Sequence, residues 1–108
     1  MLSVDWDRLN ELKADIGDED FADVAMLFVT ELQDTLSALT PENAAADDFH
    51  FLRGSASNLG FTALVTACST AEAACASGQS PDVDAVRTAF GSALAEMSKE
   101  MPDLALAA

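Results

Sequence analysis

The middle of the sequence reads Phe49-His50-Phe51-Leu52-Arg53-Gly54-Ser55-Ala56-Ser57-Asn58-Leu59-Gly60, and the architecture can be worked out from it. Apolar residues in it and just before it recur at spacings of three and four, which places them on one face of an α-helix. That stripe consists of Ala45, Phe49, Leu52, Ala56 and Leu59. His50, the only histidine in the sequence, lies on nearly the opposite side, so we expect its imidazole to project away from the core.

Two neighbours of His50 suggest that another molecule approaches it. Arg53 and Gly54 follow one turn later on the same side of the predicted helix. A glycine inside a helix costs roughly 1 kcal/mol relative to alanine, so Gly54 gives up stability where bulk would obstruct access to the histidine. Periodicity alone leaves open the alternative of an ordinary solvent-facing histidine.

The same residues carry a resemblance to a known family. The segment from His50 to Gly60 resembles the signature of histidine phosphotransfer (HPt) domains, which reads His-x-Leu-Lys-Gly-Ser, a few small residues and Leu-Gly. Downstream, Cys68 and Glu72 match a usual cysteine and an acidic or amide position on the next helix. The chain departs from the pattern in having Arg53 for lysine, Ala56 for a frequent serine and Phe49 for a small residue.

The resemblance implies a stand-alone phosphocarrier that exchanges a phosphoryl group between Nε2 of His50 and receiver-domain aspartates in a multistep two-component phosphorelay. Arg53 would stabilise the phosphoryl oxygens, and Gly54 would give steric access. Glu72 would orient the imidazole, or simply lie on the bundle surface. The implied partners are response-regulator receiver domains and a hybrid sensor kinase, and Mg²⁺ is expected on the receiver only.

An ordinary imidazole titrates near ~6.5, so a neutral nucleophile is available at cytoplasmic pH. The sequence has no Gly-rich phosphate loop, so we expect no ATP site and no autokinase activity. We therefore expect a phosphocarrier intermediate rather than an enzyme.

Composition narrows the possible partners. The 108 residues are enough for a single domain over 1–108, and 19 acidic against 5 basic residues give a formal charge of −14. Such a chain is repelled by nucleic acid and by anionic membrane surfaces. No apolar run is long enough to span a bilayer and no signal peptide is evident, so we expect a cytoplasmic, bacterial-type protein. One exposed histidine requires no dimer, so a monomer is expected.

Metal and disulfide sites have little support in the sequence. Cys68 and Cys75 are seven residues apart, or roughly 10 Å along a helix, which is too far for a disulfide. With one histidine and no Cys-x-x-Cys motif, we expect no metal and no cofactor. A cofactor-binding bundle is a further alternative, but Glu-x-x-His pairs are missing.

Helix start and stop signals divide the chain into five helices. They are predicted at about 6–16, 19–39, 41–59, 62–76 and 81–101, with a short tail over 102–108. Asp5 and Asp18 are expected caps, Thr40-Pro41 is the expected start of the third helix, and Pro102 ends the fifth. Because the connections are short, we expect an all-α fold in which the last four helices form an antiparallel up-down four-helix bundle and the first caps it.

Further interpretations concern apolar surfaces, a rival function and the last residues of the sequence. The wide apolar face of the second helix could bury against two neighbours or leave part of itself for a partner. Phe51 and Phe61 are candidates for partner docking, or for packing against neighbouring helices. A non-phosphorylated bundle that binds and inhibits a receiver or sensor kinase is the main rival function. Ala107-Ala108 resembles a degradation tag, or is an ordinary frayed end.

Overall fold

The computed structural model describes residues 4–100 as five α-helices, and that part of the chain contains no strand. The helices are α1 (Trp6–Ile16), α2 (Asp18–Ala38), α3 (Ala46–Asn58), α4 (Thr62–Ala76) and α5 (Val83–Glu100). They form an elongated body of 43 × 23 × 23 Å. The expected all-helical class is therefore confirmed.

Local signals account for both ends of α1 and for the start of α2. The Asp5 carboxylate accepts a hydrogen bond from the Arg8 backbone N–H at 3.2 Å and caps α1. Gly17, at φ +96°, separates α1 from α2 as a single residue in a conformation that favours glycine. Asp18 was predicted to cap α2, but it is the first helical residue and makes no capping bond. Its carboxylate instead adds to the negative charge at the positive end of α2.

The third helix begins at Ala46, so the predicted start at Thr40-Pro41 is wrong. The side chains of Thr40 and Asn43 form a turn there: Asn43 Oδ1 accepts from the Thr40 N–H at 2.8 Å, and Thr40 Oγ1 accepts from the Asn43 N–H at 3.2 Å. Asn43 Nδ2 also donates to the Ala38 carbonyl at 3.0 Å. These bonds satisfy backbone groups in a non-helical conformation, which competes with helix formation. The Asp48 carboxylate then caps α3 by accepting from the Ala45 N–H at 2.9 Å.

The core is apolar and every helix contributes to it. The most extensive packing joins α3 to α4, followed by α4 to α5 and α2 to α3. Small buried residues lie on both members of the closest pair, namely Ser55 and Ala56 on α3 and Cys68 and Ala71 on α4. These small side chains allow the two helices to approach closely. On α2, Val24 and Phe28 are only half-buried and Leu27 is 59% exposed, so part of its apolar face stays open.

The junction between α3 and α4 is fixed by contact with the start of α1. Gly60 has φ +71°, and its carbonyl accepts a hydrogen bond from the Asp5 N–H at 2.6 Å. A Cβ at this position would lie 2.6 Å from the Asp5 carbonyl oxygen and 3.2 Å from Arg8 Cβ. Only glycine fits both the conformation and the space. The turn therefore sets how the two helices that carry the candidate site lie relative to each other.

Polar contacts made by Arg87 and Glu96 link α5 to the other helices. Arg87 Nη2 donates to the Leu36 carbonyl at 2.8 Å and also to the Leu39 carbonyl, which satisfies orphan acceptors at the end of α2. Trp6 Nε1 donates to Glu96 Oε1 at 3.1 Å and so ties α1 to α5.

Some predictions fall outside residues 4–100. They are the end of the fifth helix at Met101, the tail over 102–108 and the tag at Ala107-Ala108. Within the described range, no helix is both long and apolar enough to cross a bilayer.

Candidate functional site

His50 lies on the solvent side of α3, as its sequence position predicted. Its side chain is 69% exposed, whereas Phe49 and Leu52 on the opposite face are fully buried. Burying these two side chains fixes the rotation of the helix about its axis, because turning it would expose both. The imidazole is thereby held outward on a rigid element.

Arg53 lies on the same side of α3, one turn after the histidine. Its Nη2 donates to His50 Nδ1 at 2.8 Å, and its side chain is 36% exposed. The alkyl stem can pack along the helix while the guanidinium stays at the surface. The positive charge that the sequence predicted near the imidazole is therefore in direct contact with it.

Glu72 on α4 completes a three-residue cluster. Its Oε1 lies 3.2 Å from Arg53 Nη2 and its Oε2 lies 3.5 Å from His50 Nδ1. The Glu72 side chain is 28% exposed, so the carboxylate sits partly sheltered between the helices. The close packing of α3 on α4 brings it into reach.

Gly54 leaves open space beside the histidine. It is exposed within α3, and a Cβ built on it would meet no atom within 4 Å. Among residues 4–100, no contact therefore requires a glycine at this position. A requirement for low bulk here would come from a partner molecule.

Positive charge is scarce on this acidic molecule, and three of the four other basic residues are engaged elsewhere. Arg8 pairs with Glu11 at 3.5 Å, and Lys13 pairs with Asp18 at 4.0 Å. Arg87 caps α2, as described above. The charge beside His50 is therefore supplied by Arg53 rather than by a diffuse basic surface.

A buried thiol lies beneath the cluster. Cys68 precedes Glu72 by one turn on α4 and is inaccessible to solvent. Burial raises the pKa of the Cys68 thiol from 9.0 to about 11; the Arg53 charge lowers it and the Glu72 charge raises it further. The thiol is therefore protonated at neutral pH and is a core group rather than a nucleophile.

The raised pKa of Cys68 predicts a loss of stability in alkaline solution. Below pH 9.0 the thiol keeps its proton in both the folded and the unfolded chain, and its contribution is fully present. As the pH rises from 9.0 to about 11, the unfolded state ionises first and the free energy of unfolding falls. Urea denaturation at stepped pH under reducing conditions should show a steeper fall for wild type than for Cys68→Ala. Cys75→Ala, which keeps Cys68, should retain the wild-type slope; equal slopes for wild type and Cys68→Ala would contradict the prediction.

The two candidate docking aromatics differ. Phe51, next to the histidine, is 48% exposed. Phe61 is fully buried at the start of α4, so the alternative of packing against neighbouring helices is confirmed for it and the docking alternative is wrong. It follows the Gly60 turn directly, and that turn directs its side chain into the core.

No group of three potential metal ligands occurs within residues 4–100. Both cysteines are free thiols.

The pairing of Arg53 with Glu72 was not predicted from the sequence. Each was named for a separate action on the histidine. The sequence does carry a signal for this pair, because opposite charges on helices expected to be antiparallel neighbours favour an ion pair between them.

Comparison with known proteins gives one assignment. The Hpt domain model matches residues 7–104, nearly the whole chain. Searches of curated proteins and of solved structures found no match. Hpt domains are phosphocarrier modules of phosphorelays rather than catalytic enzymes, and they interact there with receiver domains and kinases. Because the match covers far more than half of its length, this chain belongs to the Hpt domain family.

Proposed function

We propose that this protein exchanges a phosphoryl group between His50 and the aspartates of response-regulator receiver domains. The observation that carries the proposal is the exposed imidazole of His50, 69% accessible, in direct contact with the Arg53 guanidinium on a helix whose other face is core. A phosphoryl acceptor must reach into another protein's active site, and this ring can be reached without unfolding.

The reaction follows from the groups present. The Nε2 lone pair of His50 attacks the phosphorus of the receiver's acyl phosphate, the bond from phosphorus to the aspartate oxygen breaks, and its electron pair leaves on the aspartate carboxylate. The receiver holds the Mg²⁺ in this scheme. Arg53 stabilises charge on the transferring oxygens through its N–H donors. The reverse reaction uses the same contacts.

Docking in this proposal takes place on the exposed side of α3. Phe51 offers an apolar contact immediately beside His50, and Gly54 lets the partner's backbone approach closely. Small side chains and one exposed aromatic suit a flat interface.

The finer architecture and setting are part of the proposal. We place α2 to α5 in an antiparallel up-down four-helix bundle with α1 as its cap, supported by the packing of α2 on α3, α3 on α4 and α4 on α5. In this proposal the protein works as a cytoplasmic monomer. It needs no ATP site, because its receiver and hybrid-kinase partners supply the phosphoryl group.

Transfer from a phosphorylated receiver tests this function. The receiver is labelled with ³²P, freed of its kinase and mixed with this protein. We expect acid-labile, alkali-stable label on wild type and none on His50→Ala. Since the His50 side chain is largely exposed, the variant should keep its fold, which circular dichroism checks. Label that persists on His50→Ala would refute the assignment.

The rival, a bundle that inhibits without carrying phosphate, predicts a different result. It predicts a stable complex with a receiver or sensor kinase and no label on either variant. The ³²P transfer experiment described above, run alongside a binding assay, separates the two functions.

A further inference from the structure

Arg53 and Glu72 make opposite demands on the same ring nitrogen. Arg53 Nη2 lies 2.8 Å from His50 Nδ1, and Glu72 Oε2 lies 3.5 Å from that atom. A guanidinium can only donate hydrogen bonds, whereas an ionised carboxylate can only accept them. Arg53 therefore requires a bare Nδ1, and Glu72 requires an Nδ1 that carries hydrogen.

The shorter contact defines the resting tautomer. A neutral imidazole has one ring hydrogen, so a bare Nδ1 places it on Nε2. With hydrogen on Nε2, that nitrogen has no lone pair in the ring plane with which to attack phosphorus. Arg53 therefore holds the ring in the form that cannot accept a phosphoryl group at Nε2.

The same guanidinium nitrogen is anchored by the carboxylate. Nη2 carries two hydrogens, and it lies 2.8 Å from His50 Nδ1 and 3.2 Å from Glu72 Oε1. One nitrogen can thus bridge both acceptors in the fixed planar geometry of a guanidinium. Glu72 keeps Arg53 in the blocking position while its other oxygen stays near the ring.

We infer that Arg53 and Glu72 form a tautomer switch on His50, opened by the arriving phosphoryl group; the inference rests on the proposed function. The phosphoryl oxygens compete with Glu72 and Nδ1 for the guanidinium, because charge-assisted and bidentate contacts to phosphate are strong. When Arg53 moves to them, Glu72 Oε2 accepts from Nδ1–H. Glu72 acts as a positioning residue that selects the nucleophilic tautomer.

Protons balance in this scheme. Nε2 gives its hydrogen to water and Nδ1 takes one from water, so the neutral ring gains and loses none. After the new bond between Nε2 and phosphorus forms, the Nδ1 hydrogen remains and the Glu72 carboxylate compensates the positive charge of the ring. In the reverse step the leaving group is then a neutral imidazole.

Nitrogen NMR of the free protein tests the switch without any phosphate. His50 is the only histidine, so ¹⁵N-labelled ring signals are unambiguous, and protonated and bare nitrogens differ widely in shift. For the neutral ring in alkaline buffer, we expect Nε2–H in wild type. Arg53→Met keeps the aliphatic stem but removes the donors, and should raise the ratio of Nδ1–H to Nε2–H by about tenfold or more.

A double variant identifies the cause. Arg53→Met combined with Glu72→Ala should lose the Nδ1–H preference, because no carboxylate is left to accept it. Circular dichroism confirms that each variant is folded. An Arg53→Met spectrum that equals wild type, or a wild-type ring with hydrogen on Nδ1, would overturn the inference.

The transfer assay keeps this result separate from the proposed function. If His50 is labelled but the tautomer of Arg53→Met equals that of wild type, the switch is refuted and the phosphotransfer function is retained. A tautomer change without label from any receiver overturns the link between the switch and phosphoryl transfer.

Discussion

Phe49→Ala is expected to lower the free energy of unfolding by about 3–5 kcal/mol. Phe49 is fully buried, and it is among the largest side chains in the core. Its removal loses the transfer free energy of the ring and leaves a cavity between packed helices. Since small domains are stable by only about 5–15 kcal/mol, this is a large share of the total. Urea denaturation followed by circular dichroism measures it.

Phe51→Ala is the matched control, two residues away on the other side of His50. Phe51 is 48% exposed, so its truncation should change stability by no more than about 0.5 kcal/mol. Transfer from the receiver should slow if Phe51 contacts the partner. Equal destabilisation by the two substitutions would contradict the orientation of α3 and, with it, the outward direction of the imidazole.

Gly54→Ala is expected to stabilise the protein and to slow transfer from a receiver. Alanine is favoured over glycine in a helix by up to ~1 kcal/mol, and the added Cβ meets nothing within 4 Å. The methyl group projects beside His50, where the partner docks in our proposal. Gly54→Leu should slow transfer further, by about 100-fold, because a displacement of about 1 Å at the reacting atoms costs that much.

Gly91 supplies the control for this prediction. It also lies exposed inside a helix, α5, with nothing within 4 Å of a built Cβ. Gly91→Ala should raise stability by a similar amount and leave transfer unchanged. Equal transfer rates for wild type and Gly54→Leu would show that Gly54 has no role in access.

A small phosphoryl donor separates docking from chemistry. Phosphoramidate is compact and needs no protein interface to reach an exposed histidine. It should label Gly54→Leu and wild type at similar rates, whereas the receiver distinguishes them. If both donors slow equally, the substitution has disturbed His50 itself rather than the approach of a partner.

Sequence patterns predicted most of the helices because their signals are local. The Asp5 cap and the stop at Gly17 depend on groups within a few residues, and α1 was predicted with its observed bounds. The start of α3 was missed because Thr40 and Asn43 bond to each other and to the end of α2. A helix-start signal and a turn share these residue types, and only the surrounding backbone decides between them.

Burial was harder to predict than helix position. Phe61 follows a turn whose path depends on the contact between Gly60 and Asp5. The sequence pattern around Phe61 therefore does not determine whether its side chain is buried or exposed. Likewise, the wide apolar face of α2 does not show which of its residues stay exposed, and Leu27 is 59% exposed.

The outward direction of His50, with Arg53 and Gly54 beside it, could be predicted from the sequence because all three positions follow from the period of one helix. The contacts of Glu72 with the arginine and with the ring could not, and they became visible in the folded chain. That meeting depends on how closely α3 and α4 pack and on the turn at Gly60, and neither is encoded within one helical period. The physical reason is range: helical geometry fixes neighbours three and four residues apart, whereas contacts between helices depend on the packing of the whole core.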